Sequence, residues 1–122
     1  MMRVFAGFAA LIAVSVAGSA VAGDLKRIES AAAFQAQVVG KYFGDASARM
    51  IVTADGRISG KTAKGQKIIG RWVWGNGFFC RTVKVGSTDL GNNCQIVKAS
   101  AEAVTFTRDQ GRGDTSGPFS FE

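Results

Sequence analysis

The sequence of 122 residues contains no histidine, one proline and two cysteines. Because histidine is absent, every mechanism that uses imidazole as an acid, a base or a metal ligand is excluded within one chain. No serine lies in a nucleophile-elbow pattern, and two cysteines without histidine are too few ligands for a zinc site. The sequence therefore predicts no catalytic residue and no metal site, and it favours a protein that is not an enzyme.

The chain is also short for cofactor chemistry. Its length fits one small domain and excludes a dinucleotide-binding domain combined with a substrate domain. The glycine-rich segment 111–117 begins as Gly-x-Gly, but its third glycine falls one place late and no helix is predicted to follow it. We therefore expect no cofactor.

The first 22 residues have the pattern of a secretory signal peptide. Arg3 provides a positive start, Val4 to Val16 is mostly apolar, and Ala20-Val21-Ala22 fits the small-x-small rule for cleavage. The alternative is a membrane anchor, which needs about 20 apolar residues. We expect cleavage after Ala22, which leaves residues 23–122 as a single β-rich domain in the periplasm or outside the cell.

Positive charge exceeds negative charge in the mature chain. Arg3 is one of the 15 basic residues, so 14 remain against 9 acidic residues. A basic exported protein is suited to an anionic envelope component or a periplasmic protein as its partner. Nucleic acid would need a denser patch and is not expected. Five basic residues recur every three or four positions and could form a basic patch, although solubilising charge on solvent-facing strands is the alternative: Arg57, Lys61, Lys64, Lys67 and Arg71.

Cys80 and Cys94 are the only cysteines in the chain. An isolated pair in a small exported domain is typical of a structural disulfide. The bridge would close a loop of about 15 residues and contribute about 3 kcal/mol to stability. A redox-active pair would have the Cys-x-x-Cys spacing, which this chain lacks.

The sequence of the mature chain predicts one helix followed by a series of strands. Ser30 can cap a helix, alanines follow it, and Phe34 begins an apolar stripe, so we expect the helix at about residues 30–39. Short strands separated by turn residues follow from about residue 41 to residue 121. We expect a mainly β (α+β) fold. It is an antiparallel up-and-down meander of six to eight short strands, curled or closed into a small barrel, with the helix against one end or face.

Turn positions also predict the register of the strands. A turn centred on Asn76 would place Trp72 opposite Cys80 and Trp74 opposite Phe78. A connection centred on Ser87 would place Cys80 opposite Cys94, so that Trp72 and both cysteines form a row on one face. The buried face of the strand at 67–74 would then carry Ile68, Gly70, Trp72 and Trp74.

The aromatic residues of this region allow two interpretations. Trp72, Trp74 and Phe78 could line a small apolar pocket in the mouth of a barrel. The alternative is that they are packed in the core.

Several motifs resemble a family of small exported proteins of Gram-negative bacteria. The family pattern is D-G-x-I-x-G, G-x-W-x-W, G-[YF]-[FW]-C-R, L-G-x-N-C-Q and a final D-x-G-x-G turn. It corresponds here to residues 55–60, 70–74, 77–81, 90–95 and 109–113. The resemblance covers about two thirds of the mature chain and implies a small exported domain. It brings no established activity, although some members carry the automatic label dihydrodipicolinate reductase.

Three hypotheses for function follow. The first is a non-enzymatic binding protein for a cell-envelope partner or a small apolar ligand. The second is an inhibitor of a cell-wall hydrolase, like the small disulfide-bonded lysozyme inhibitors, although the positive net charge argues against a basic lysozyme as target. The third is the reductase, which would need a nicotinamide-binding βαβ unit that the sequence does not predict.

Overall fold

The computed structural model describes residues 24–122. The predicted signal peptide and its cleavage site lie outside these residues. The described part contains nine strands and one α-helix in the order β1 (Lys26–Arg27), α1 (Ala31–Gln37), β2 (Tyr42–Gly44), β3 (Ala48–Val52), β4 (Arg57–Thr62), β5 (Lys67–Gly75), β6 (Phe78–Val85), β7 (Thr88–Ala99), β8 (Ala103–Thr107) and β9 (Thr115–Phe121). A 3₁₀ turn at Asp109–Gly111 connects β8 to β9.

Strands β2 to β9 form a closed barrel. Each of them pairs antiparallel with the next strand along the chain, and β9 pairs with β2 to close the sheet. The short β1 adds to the end of β7. The structure thus confirms the predicted antiparallel meander, closed into a small barrel with one helix.

Two glycines of the inner face mark places where neighbouring strands approach closely. A Cβ atom on Gly60 would lie 2.7 Å from Cα of Met50, and one on Gly70 would lie 3.0 Å from Cα of Val83. Such distances leave no room for a side chain, and glycine is typical of tight bends in barrel strands. These glycines therefore allow β3 to β6 to curl into a narrow barrel.

Helix α1 begins at a side-chain cap and is shorter than predicted. Oγ of Ser30 accepts a hydrogen bond from the backbone N–H of Ala33 at 3.1 Å. The helix ends at Gln37 because Val38 already has a non-helical φ of −122°. No helix within residues 24–122 has the length and apolar character that a membrane span requires.

Phe34 anchors the helix on one end of the barrel. Its side chain is fully buried, and its ring centroid lies 5.2 Å from that of Trp72, 5.1 Å from that of Trp74 and 5.2 Å from that of Phe79. Trp74 is next to the end of β5, and Phe79 is next to the start of β6. The helix therefore covers the end of the barrel at which the β5–β6 turn lies.

The predicted pairing of β5 with β6 is wrong by one residue. Asn76 and Gly77 both have positive φ angles, 53° and 86°, so the hairpin turn is centred between them and not on Asn76. The predicted pairs were Trp72–Cys80 and Trp74–Phe78, and the observed pairs are Trp72–Arg81 and Trp74–Phe79. A shift of one residue turns every side chain of a strand to the other face.

This shift places the cysteines on the outside of the barrel. Cys80 lies opposite Val73 on the outer face and forms the predicted disulfide with Cys94, whose Cα atom is 3.9 Å away. The predicted row of Trp72 with both cysteines does not form, because Trp72 points inward and is 8% exposed. The inner face of β5 is the predicted one, with Ile68, Gly70, Trp72 and Trp74.

Replacement of Phe34 by alanine is expected to destabilise the protein strongly. The change Phe34→Ala removes three aromatic contacts and leaves a cavity, which typically lowers the free energy of unfolding by about 3–5 kcal/mol. Urea denaturation followed by tryptophan fluorescence measures this value. Gln35→Ala, on the exposed side of the same helix, is the control and should change stability little. Equal effects of the two substitutions would contradict the role assigned to Phe34.

Candidate ligand-binding site

The barrel contains a cavity of about 330 Å³. Thr62 at the end of β4 and Val85 at the end of β6 lie at its rim, at the end of the barrel opposite the helix. Ser47, Leu90 and Ser116 are exposed residues of the same lining, so this end is open to solvent. The walls are mostly apolar and include Phe43, Val52, Ile58, Ile68, Phe79, Val83, Phe106 and Phe119.

A β-bulge in β7 shapes one side of the cavity. Thr82 lies opposite Asn92, but Lys84 lies opposite Asp89, so two residues of β7 face one residue of β6. Those two residues are Leu90 and Gly91, and Gly91 has a φ of 74° that favours glycine. A bulge of this kind redirects side chains beside a functional site. Here it turns Leu90 toward the cavity mouth.

The bulge also provides the hydrogen-bond partner of Arg81. Arg81 lies opposite Trp72 on β5 and Asn93 on β7, so its side chain points into the barrel. Its Nη1 atom donates a hydrogen bond to the carbonyl oxygen of Gly91 at 2.9 Å. The side chain is 8% exposed and lines the cavity.

Arg81 is a buried positive charge without a negative partner among residues 24–122. Neither of the two ion pairs found among residues 24–122 includes it. Burial lowers the pKa of its guanidinium, and the nearby positive charge of Arg108 lowers the pKa further. Arginine nevertheless stays protonated in proteins. A buried charge is costly unless it is paired, so this group favours an anion in the cavity.

The remaining donors of Arg81 are available to such an anion. A guanidinium has five N–H donors, and the described residues provide one acceptor, the carbonyl of Gly91. Every fully buried side-chain nitrogen or oxygen atom of residues 24–122 has a hydrogen-bond partner. The other guanidinium nitrogens of Arg81 are therefore accessible to solvent and not enclosed in the core. Their planar arrangement suits a carboxylate or phosphate group.

A second polar group in the cavity is held by a chain of hydrogen bonds. Gln95 is 5% exposed and lines the cavity, and its Nε2 atom donates to Oδ1 of Asn93 at 3.3 Å. Nδ2 of Asn93 donates to Oδ1 of Asp109 at 2.8 Å, and the backbone N–H of Asp109 donates back to Asn93 at 3.0 Å. The 3₁₀ turn after β8 thus fixes the position of Asn93, which lies opposite Arg81 in the register. Through Asn93 it also fixes the amide of Gln95.

The aromatic residues considered for a pocket lie away from this cavity. Trp72 is buried and Trp74 is half-buried, and both pack against Phe34 of the helix. Nε1 of Trp72 donates to the carbonyl oxygen of Thr53 at 2.9 Å. Phe78 is half-buried near the β5–β6 turn, with the guanidinium carbon of Arg27 5.3 Å from its ring centroid. These aromatic residues close the helix end of the barrel. Trp72 and Trp74 do not line the cavity, but they line a separate pocket beside the helix, together with Ala31 and Gln35.

The predicted basic residues lie on the outer surface. Arg57 lies directly opposite Arg71, and Lys61 lies directly opposite Lys67, across the pair β4–β5. Lys64 is in the turn between these two strands. All five side chains are exposed, so the barrel wall separates them from Arg81.

Arg81, Leu90 and Gln95 were not among the residues singled out from the sequence. Arg81 was missed because of the one-residue error at the Asn76 turn, since the predicted register placed Arg81 on the outer face. Counting Asn76-Gly77 as a two-residue turn would have placed Arg81 opposite Trp72 and therefore inside. Within residues 24–122, no three His, Cys, Asp or Glu side chains cluster in a way that could hold a metal ion.

Comparison with known proteins gives no match: no family model, no curated protein and no solved structure matches the chain. The family resemblance therefore stays a hypothesis, and the function has to be argued from the site.

Replacement of Arg81 by methionine is expected to leave the ligand-free protein as stable as the wild type or more stable. Arg81→Met keeps most of the side-chain length and removes an unpaired buried charge, and such replacements are often neutral or stabilising. The free energy of unfolding in urea tests this. Ile58→Ala, which removes part of the apolar wall of the cavity, is the control and should lower the free energy of unfolding by about 2–5 kcal/mol. A comparable loss of stability in Arg81→Met would mean that the charge of Arg81 stabilises the fold.

Proposed function

We propose that the protein is a binding protein for a small ligand that has an apolar body and an anionic group. The observation that carries the proposal is Arg81, a buried cation in an otherwise mostly apolar cavity, with no negative partner among residues 24–122. An anionic head group would accept hydrogen bonds from the free guanidinium nitrogens, and the apolar body would contact Phe79, Phe106 and Phe119. Such a ligand neutralises the charge without a protein carboxylate.

The size of the cavity limits the ligand. Ligand pockets typically range from about 300 to 1,000 Å³, so a cavity of about 330 Å³ belongs to the smallest of them. A carboxylic acid with a medium-length alkyl chain, such as decanoate, has this size.

The compartment proposed for this activity is the periplasm or the extracellular space. The disulfide Cys80–Cys94 supports an oxidising compartment, where such bonds persist. Periplasmic localisation in particular rests on the secretory pattern of residues 1–22. The hydrolase-inhibitor and reductase hypotheses stay predictions from the sequence, and no feature of the cavity favours either.

Calorimetric titration of the purified protein with hexanoate, decanoate and hexadecanoate tests the proposal. Affinity should rise between hexanoate and decanoate, since each buried CH₂ group contributes about 0.8 kcal/mol. It should level off at hexadecanoate, because the cavity is then full. Absence of decanoate binding at millimolar concentration would refute the proposal.

The contribution of Arg81 is tested with the variant Arg81→Met. Decanoate should bind at least about tenfold more weakly, because a hydrogen bond to a charged group is worth about 1.5–3 kcal/mol. Decanol, which carries no charge, should bind the variant as well as it binds the wild type. Arg112→Met, in an exposed loop, is the control and should bind decanoate normally. Equal loss of decanol and decanoate in Arg81→Met would point to a damaged cavity instead.

A further inference from the structure

The outer surface of β4 and β5 carries a strong concentration of positive charge. We define the basic face as Arg57, Lys61, Lys64, Lys67, Arg71 and Lys84. Lys84 of β6 lies opposite Ile69 of β5, so it continues the same surface. We propose that this face docks on a membrane surface of anionic lipid head groups.

The register of β4 and β5 places like charges in direct opposition. Arg57 faces Arg71, and Lys61 faces Lys67. Like charges directly opposite each other destabilise a sheet, so folding alone gives no reason for two such pairs. A layer of negative charge outside the protein would attract both cations of each pair and so offset the repulsion between them.

The acidic residues of the described chain do not neutralise the basic face. Asp55 lies 3.5 Å from Arg57, and the other ion pair joins Arg49 to Glu122. Asp89 lies opposite Lys84 in the register without an ion pair within 4.0 Å. Among residues 24–122, Lys61, Lys64, Lys67 and Arg71 have no acidic partner within that distance. The basic face therefore keeps most of its positive charge.

Two apolar side chains stand exposed among these cations. Ile69 is 58% exposed and lies between Lys67 and Arg71 on the outward side of β5, and Val73 is 66% exposed on the same side. A membrane interface accepts both kinds of group, because cations contact head groups while apolar side chains enter the acyl boundary. A nucleic acid would use the charges but would leave Ile69 and Val73 in water. The combination therefore favours a lipid surface over a soluble polyanion.

Docking through the basic face would also bring the cavity mouth close to the membrane. Lys61 precedes the rim residue Thr62, Lys64 lies in the turn that follows it, and Lys84 precedes the rim residue Val85. An amphiphile could then pass between the bilayer and the barrel. This last step rests on the proposed function, whereas docking depends only on the outer face.

Co-sedimentation with vesicles tests the docking. The purified wild-type protein should bind vesicles made of equal parts phosphatidylglycerol and phosphatidylcholine, should not bind phosphatidylcholine alone, and should be released by high salt. Each cation near an anionic membrane contributes about fivefold to binding, so Lys61→Glu with Lys67→Glu should weaken it at least about 25-fold. Ile69→Ser should weaken binding to a smaller extent. The double variant should stay folded, since it replaces one like-charged pair, Lys61 opposite Lys67, with another.

A matched control distinguishes the effect of the basic face from the effect of the net charge of the protein. Lys98→Glu with Arg112→Glu changes the net charge by the same amount outside the basic face, and this variant should bind vesicles nearly as the wild type does. Equal loss in both double variants would overturn the proposal. Binding to heparin or DNA together with failure to bind the anionic vesicles would do so as well.

One further variant keeps the two proposals distinguishable. Arg81→Met should bind anionic vesicles like the wild type while it loses decanoate affinity. Normal vesicle binding by a protein that takes up no decanoate would support docking and refute the cavity proposal. The reverse result would refute docking alone.

Discussion

Phe43 lies at the seam where the last strand of the barrel meets its first strand, and the closed architecture depends on this contact. The side chain is fully buried, and its ring centroid lies 5.6 Å from that of Phe106, 5.8 Å from that of Phe119 and 6.1 Å from that of Phe121. The pairing of β2 with β9 is short, with Phe43 opposite Phe121 and Gly44 opposite Ser120. Packing of these aromatic rings therefore holds together a seam that has few backbone hydrogen bonds.

Closure decides what each side chain can contact. In a closed barrel of eight strands the interior is just wide enough for packed side chains or one small ligand. Helix α1 covers one end through Phe34, so water and ligands reach the interior from the other end. A charged group that lines the cavity, such as Arg81, can then meet an anion through the mouth. The lysines of the outer face are separated from it by the wall, and the partner that we propose for them is a membrane surface.

The sequence was sufficient to predict the class of the fold because the signals involved are local. Turn residues between short apolar runs predicted the meander, Ser30 with the following alanines predicted the helix, and the isolated cysteine pair predicted the disulfide. The predicted register was wrong by one residue because the turn was centred on Asn76 and not between Asn76 and Gly77, and this error placed Arg81 on the wrong face. The bulge at Gly91 is set by the pairing of β6 with β7, which local sequence does not report. The cavity depends on both features, so it could be recognised only in the folded chain.

The disulfide has a further consequence for the site because of where it lies in the register. Cys80 directly precedes Arg81, and Cys94 directly precedes Gln95, so the covalent bond joins β6 to β7 beside these two polar residues of the cavity. Strands next to a bulge could exchange one register for another, and a slip of one residue would turn Arg81 out of the barrel. With Cys80 tied to Cys94, β6 and β7 cannot slide past each other at this point. The bond thus stabilises the position of the buried charge as well as the fold, and it does so from the outer face, without occupying space in the cavity.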